Sequence, residues 1–315
     1  MATITELNEN VREIINNPRI RCVLLEDAGA WKMLCSCLNV IGDTELALDA
    51  FLRQTDCGDN GTNYLLIYGA LQVLFVQQDA VSDLAKALKP LNVTYERSEL
   101  LKEIREIRSD SIGHPTKRDL PKKDGPGPSN LMVRMSLSHR RFDLVKNYED
   151  GRTECLDVDI VDLIQKQRAN LAATLTSIAD KLKEDDMKHR RKFKHEKLQD
   201  IFSPTIDYEF EQIYKACDED EPLALPAIKI TFGNLGKFKA ALQVRGILQA
   251  YDSVVDDLDM TQYTLSELKK FIQNSPGSVL NDKSAYIFAY FARKHIDALL
   301  EAAKEIDREY ASENH

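Results

Sequence analysis

Residues 63–88, NYLLIYGALQVLFVQQDAVSDLAKAL, are written almost throughout in the pattern of a buried helix. Val73, Gln77, Ala80, Leu84 and Leu88 recur at helical spacing and mark one continuous face. The earlier part, Tyr64 to Val76, is apolar on nearly every side, interrupted by Gly69 and Gln72. A helix apolar all round belongs inside a fold. The run falls short of the roughly 20 residues that cross a bilayer. The stretch therefore predicts the central helix of a helical bundle, ended by Pro90, and no membrane span.

The flanking sequence supplies partners for that helix. Thr5 is placed to cap a first helix running to about Asn16, with Pro18 as its stop. A second pattern runs from about Asp27 to Ile41, and Asp43 is placed to cap a third helix. Cys57, Gly58, Asp59, Asn60 and Gly61 read as a loop. Past Pro90, a helix from about Glu96 to Ile112 turns Leu100, Leu101, Ile104 and Ile107 inward. Residues 115–130 hold four of the chain's ten prolines and read as a loop.

Beyond that loop the period changes to two. Leu131, Val133, Met135 and Leu137 alternate with other residues, then Phe142 and Leu144, then Leu156, Val158 and Ile160. Turns at His139-Arg140 and Glu149-Asp150-Gly151 make these three short antiparallel strands. Leu171, Leu175, Ile178 and Leu182 then restore helical spacing in a helix expected to reach Ser203-Pro204. A last amphipathic helix starts near Asn281 or Asp282 and carries Ile296, Leu299, Leu300 and Ala303. Tyr286, Phe288, Tyr290 and Phe291 scatter around it and read as core, as does Trp31. The predicted class is mainly α: a helical bundle over residues 1–200 with a three-stranded antiparallel β-meander inserted at about 131–160, and a helical C-terminal domain over 201–315.

The chain has 315 residues, 43% hydrophobic and 30% charged, a composition fit for globular domains. Six cysteines and a start without basic and apolar leader regions predict a cytoplasmic protein without a disulfide framework. The net charge of −9 opposes a general nucleic-acid coat. Charge is uneven, however: Lys188, Arg190, Arg191, Lys192, Lys194 and Lys197 crowd together as a candidate RNA-binding patch, or as a solvated helix face. Phosphate-loop, dinucleotide-binding, HExxH and GxSxG signatures are missing from the sequence. His189 and His195 have no acidic or thiol partners at ligand spacing. No metal or cofactor is expected.

One segment carries chemistry. In Glu103-Ile104-Arg105-Glu106-Ile107-Arg108-Ser109-Asp110-Ser111-Ile112-Gly113-His114-Pro115, an arginine and a histidine are separated by five intervening residues at the end of a bundle helix. Over about residues 5–185, including the long helix with Gln72, Gln77, Gln78 and Asp79, the chain resembles the HEPN superfamily, whose hallmark is Arg, four to six residues, then His. The resemblance implies a metal-independent endoribonuclease whose active site is shared across a homodimer, with Arg108 and His114 catalytic. An imidazole titrates near neutral pH and can move protons, while a guanidinium stays charged and presents a planar fork to phosphate. Gln72 and Asp79, seven apart on one face, are placed either to hydrogen-bond Arg108 from the neighbouring helix or to serve as ordinary buried polar packing. Ser109 and Asp110 follow the arginine as supporting residues; Ser109 stands where the family often has Asn, Asp or His.

Two alternatives stay open. At about 100° per residue, Arg108 and His114 stand roughly 120° apart on an unbroken helix, so they meet only if the helix ends or a second protomer contributes. The same residues also make a complete helix stop, with Gly113 in a left-handed C′ position, His114 capping carbonyls and Pro115 blocking continuation. The functions to be weighed are a HEPN-like ribonuclease, as a toxin or phage-defence effector held by an antitoxin, and a non-catalytic regulatory module binding a partner protein, RNA or a small ligand.

Overall fold

The computed structural model describes residues 2–55, 58–113, 128–202, 204–219, 221–275 and 277–312. It is mainly helical, with ten α-helices and one three-stranded antiparallel sheet among the described residues. The chain divides into two compact units. The first comprises Met1–Ile15 and Leu24–Leu182, the second Asn16–Val23 and Lys183–His315. The division falls inside a helix at Leu182, earlier than the position near 200 expected from sequence. The residues after Leu182 carry His189 and Phe193, whose rings pack with Tyr310 of the second unit.

The first unit opens with α1 (Ile4–Ile15), capped by Thr3 and not by Thr5. The Thr3 hydroxyl accepts from the Glu6 amide at 3.2 Å, and the Glu6 carboxylate accepts from the Thr3 amide at 2.8 Å. This Thr-x-x-Glu spacing satisfies two otherwise orphaned donors reciprocally. Pro18, expected only as a stop, is the first residue of α2 (Pro18–Leu25), most of which belongs to the second unit, and at that position its missing N–H costs nothing. The next helix is α3 (Ala28–Arg53), with Asp27 as N-cap; it runs unbroken through Asp43 instead of restarting there. Ile41, Thr44 and Leu48 continue one buried face across that point, and the Thr44 hydroxyl bonds back to the carbonyls of Val40 and Ile41. Trp31 is half-buried, not core.

The central helix is α4 (Asn60–Ala87), capped by Asp59, whose carboxylate accepts from the amides of Gly61 and Thr62. Ile67, Leu71, Leu74, Val81 and Leu84 are fully buried on it. Among the described residues it alone is long and apolar enough to cross a membrane, and 44% of its most apolar window is buried inside the fold. It ends in a tight turn at Lys89–Leu91, with Asn92 left-handed at φ 59°. The following helix, α5 (Glu99–Arg108), buries Leu101, Ile104 and Ile107 and packs on α4.

The sheet is a meander of β1 (Ser129–Met132), β2 (Arg141–Asn147) and β3 (Thr153–Asp159), in the order β1-β2-β3. Phe142 pairs with Val158 and Leu144 with Leu156. The first strand is shorter than its alternation predicts. It ends at Met132, and Arg134–Ser136 form a 3-10 turn in which the Ser136 hydroxyl donates to Val133 and accepts from the Asp143 amide. Such a hydroxyl offers the backbone an alternative to the ladder. Asn130 and Met132 face inward, leaving Leu131 59% and Met135 98% exposed. Ile160, expected in the last strand, begins α6 (Ile160–Phe193), and the Asp159 carboxylate accepts from the amides of Val161 and Asp162. Sheet thus passes into helix without a spacer. Leu171, Leu175, Ile178 and Leu182 are buried as their spacing predicts.

A polar network lies inside this first unit. Gln167 of α6 donates to the Leu74 carbonyl and to Gln77, and accepts from Gln78 at 2.8 Å. Gln77 donates to Glu45 at 2.6 Å, and Arg168 bridges Glu45 and Asp49. All three glutamines are fully buried. Buried amides are tolerated when paired, and their pairing ties α3, α4 and α6 into one register.

In the second unit α6 stops at Phe193, ten residues before the expected Ser203, because the chain turns and Asp307 holds the amides of Leu198 and Gln199. There follow α7 (Ile206–Lys215), α8 (Ala224–Val244), α9 (Asp252–Ile272) and α10 (Asp282–Ala311). Phe210, Phe238, Leu265, Ile296 and Leu299 form its core. Asn281 and Ser284 make a capping box at the start of α10, where the sequence places it. Of the aromatic residues expected in the core, Phe288 packs against it, but Tyr286, Tyr290 and Phe291 do not. Ala285, Ala289, Ala292 and Ile296 form its buried seam, which turns Tyr286 and Tyr290 to solvent at 51% and 61% exposure.

Candidate functional site

Gln72, Phe75 and Asp79 lie along one half-buried stripe of α4, at spacings of three and four residues. Against this stripe α5 lays Arg105 and Arg108. Arg108 donates through Nε and Nη2 to the Gln72 side-chain oxygen, at 3.1 and 2.7 Å. Its guanidinium carbon stands 4.6 Å from the Phe75 ring centroid. The pairing with Gln72 is the one expected from sequence. A neutral amide thus orients Arg108 without cancelling its charge.

Asp79 does not bind Arg108. It accepts from Arg105 Nη1 at 2.7 Å and from Arg97 Nη2 at 3.3 Å, both on the same Oδ1 atom. Arg105 lies one turn earlier on α5, where the long guanidinium arm spans the remaining distance to Asp79. Arg105 also stacks on Phe75 at 3.6 Å, so two guanidiniums share one ring. The Tyr95 hydroxyl and Arg97 Nε are both buried beside this cluster. Burial pushes the Tyr95 phenol up, opposed by the charges of Arg97 and Arg105.

After Arg108 the helix widens into a π turn, Ser109–Gly113. Such turns are rare and concentrate at functional sites. The Ser109 amide still closes the helix on Arg105 and Glu106. Asp110, 2% exposed, receives the Lys146 ammonium of β2 at 2.6 Å, which fastens the turn to the sheet. Asn130 stands opposite Lys146 in the β1–β2 register; both its side-chain polar atoms, and Ser111 Oγ, are buried without a partner. Gly113 does not take the left-handed conformation expected of a C′ glycine. His114 lies outside the described residues.

Gly113 nevertheless matters to Arg108. A Cβ there would stand 3.0 Å from Arg108 Nη1, too close for contact, but against the movable end of a side chain. Gly113→Ala is therefore expected to displace the Arg108 fork while lowering stability by less than about 1 kcal/mol. Thermal denaturation and binding of a non-cleavable RNA check this together. A large loss of stability with unchanged binding counts against it.

Several members of the basic cluster are held by other groups. Lys188 pairs with Glu184 at 2.7 Å, Arg190 is tied to Asp186 at 2.6 Å and to the Glu309 carbonyl at 2.7 Å, and Lys192 lies 5.0 Å above the Phe193 ring. Arg191 and Lys194 line a shallow cavity of about 270 Å³ with Met187, Arg190, Tyr310, Ala311 and Ser312. Lys197 is exposed.

His189 in this segment is a packing residue. Its Nε2 lies 3.1 Å from the Tyr310 hydroxyl. Burial, reinforced by the Arg19 charge, pushes the imidazole down to about 4, and burial pushes the Tyr310 phenol up to about 12. The unfolded chain takes up a proton at its ordinary value near 6.5, before the folded chain does. Stability present above pH 6.5 is therefore lost as pH falls towards about 4. His189→Gln is expected to flatten that part of the thermal-midpoint profile. An unchanged profile argues against it.

Sequence reasoning missed Arg97, Arg105 and Phe75. The arginine spacing of three on one helix was the available signal for Arg105, whereas Arg97 reaches Asp79 from beyond the Ser98 cap. Lys146 was not legible, since its partner comes from a different element. No protein-family model, no curated protein and no solved structure matches this chain.

Proposed function

We propose that the chain is a HEPN-type, metal-independent endoribonuclease that acts as a cytoplasmic homodimer. The observation that carries this reading is Arg108, anchored by neutral Gln72 and backed by Phe75 at the mouth of a π turn that leads directly to His114. The charge stays available to an anion, and its direction is held by a second helix. RNA brings its own nucleophile. The 2′-oxygen attacks phosphorus as His114 removes its proton, and the bond to the 5′-oxygen breaks as that oxygen takes a proton from the imidazolium so formed, leaving a 2′,3′-cyclic phosphate and neutral His114. Arg108 stabilises the extra negative charge on the phosphorane oxygens. Pairing of two protomers brings both motifs to one cleft, and the biological setting that fits is a toxin or phage-defence effector restrained by an antitoxin.

The test is cleavage of single-stranded RNA in EDTA, with identification of cyclic phosphate ends. Undiminished cleavage by His114→Ala protein removes the reading. A second reading, a module that binds RNA without cutting it, is favoured by three arginines gathered beside one stripe of α4, Arg97 and Arg105 at Asp79 and Arg108 at the neutral Gln72. Binding without cleavage by the wild-type protein selects it.

A further inference from the structure

Arg97 and Arg105 converge on a single oxygen, Asp79 Oδ1, at 3.3 and 2.7 Å. Two permanent positive charges on one carboxylate leave an excess, and the carboxylate is 43% exposed, so solvent and ligands reach it. Arg105 is flattened on Phe75, the same ring that backs Arg108. Of the neighbouring carboxylates among the described residues, Asp83 is paired with Lys86 and Glu99 with Lys102, while Glu96, Glu103 and Glu106 are exposed and form no ion pair with either arginine. We propose that Arg97 and Arg105 form a second phosphate subsite, which holds the phosphate of a single-stranded RNA adjacent to the one at Arg108. This rests on the nuclease reading for the role of Arg108, but not for the binding itself.

The physical case is one of exchange. Asp79 pre-positions both forks in water, and a backbone phosphate offers the same kind of oxygen with more acceptors. Each guanidinium has donors beyond the one it gives to Asp79. Phe75 keeps two forks at neighbouring places on one ring face or edge, so successive phosphates meet arginines already ordered. The subsite would supply binding and register, with no part in the bond changes at Arg108.

The experiment measures binding of a short 2′-O-methylated, non-cleavable RNA across a salt series. It compares the wild type, Arg97→Gln/Arg105→Gln, Arg105→Lys and Asp79→Asn, each checked for folding by circular dichroism. The double variant is expected to bind about 5- to 10-fold more weakly, with a salt slope reduced by about 0.7, the loss of one phosphate contact on a single strand. Arg105→Lys keeps the slope, because it keeps the charge. Asp79→Asn binds more tightly, since it removes the competing carboxylate; a merely structural role for the cluster predicts the opposite, and this variant decides the matter if the double variant does not fold. Equal slopes for wild type and double variant, weaker binding by Asp79→Asn, or no binding by the wild type each overturn the proposal. Cleavage is scored separately: the expected slopes without cleavage leave the subsite standing and remove the nuclease, whereas cleavage with equal slopes does the reverse.

Discussion

Alanine at Arg108 should slow RNA cleavage in EDTA by about 10²- to 10³-fold, the usual effect of removing one charged donor from a site where negative charge develops. Binding of uncut RNA should weaken far less, because the transition state carries more charge on the phosphoryl oxygens than the ground state does. The fold should survive. Arg108 is half-buried at the edge of α5, and its loss leaves the Gln72 amide to be met by water at a cost of about 1 kcal/mol. Gln72→Leu makes the complementary change: it retains the charge and releases its anchor. About tenfold slower cleavage with unchanged salt dependence is the outcome that assigns Gln72 to positioning. If Arg108→Ala cleaves as fast as wild type, Arg108 has no catalytic part, whatever its geometry.

A comparable effect on stability belongs to Gln167→Leu. This side chain donates to the Leu74 carbonyl and Gln77 and accepts from Gln78, all without solvent contact. Leucine would fill the space and satisfy none of them. Two or three buried polar groups lose partners at about 1–3 kcal/mol each, so a loss of about 3–5 kcal/mol is expected, read from urea midpoints at constant slope. The cost lies in the abandoned partners, not in the bonds as such. Replacing Gln77, Gln78 and Gln167 together by leucine or methionine, with Glu45 kept on Arg168, should therefore recover only part of it, because Glu45 still loses its Gln77 donor. A single variant as stable as wild type, or a triple variant worse than the single, would show that the network does not govern the stability of this unit.

The bundle and the meander were legible because local pattern and tertiary packing agree. The buried stripe of α4, the capping residues Asp27 and Asn281, and the alternation around Phe142 and Val158 all carry their own signal. The misreadings share a different cause. Gly42-Asp43 resembles a helix start, but a buried face runs straight through it to Leu48. Tyr286, Tyr290 and Phe291 of α10 looked like core, yet a seam of alanines took that side. In both cases the partner helix, which the local sequence does not contain, determined the result. The site follows the same rule. The sequence offered Gln72 and Asp79 alike to Arg108; Gln72 pairs with it, whereas Asp79 went to Arg105 and Arg97 because their reach competes with that of Arg108. The link between Asp110 and Lys146 depends on a sheet that returns to the π turn from 36 positions away.

The direct passage from Asp159 into α6 bears on how sequences of this kind can diverge. Having no slack, the junction converts any change of length into rotation: one residue inserted after Asp159 turns the helix by about 100°. Leu171, Leu175 and Gln167 would then leave the interior together, so drift in length must be absorbed elsewhere in the meander. The turn at Gly151, left-handed at φ 86° with open space around it, is free of that constraint.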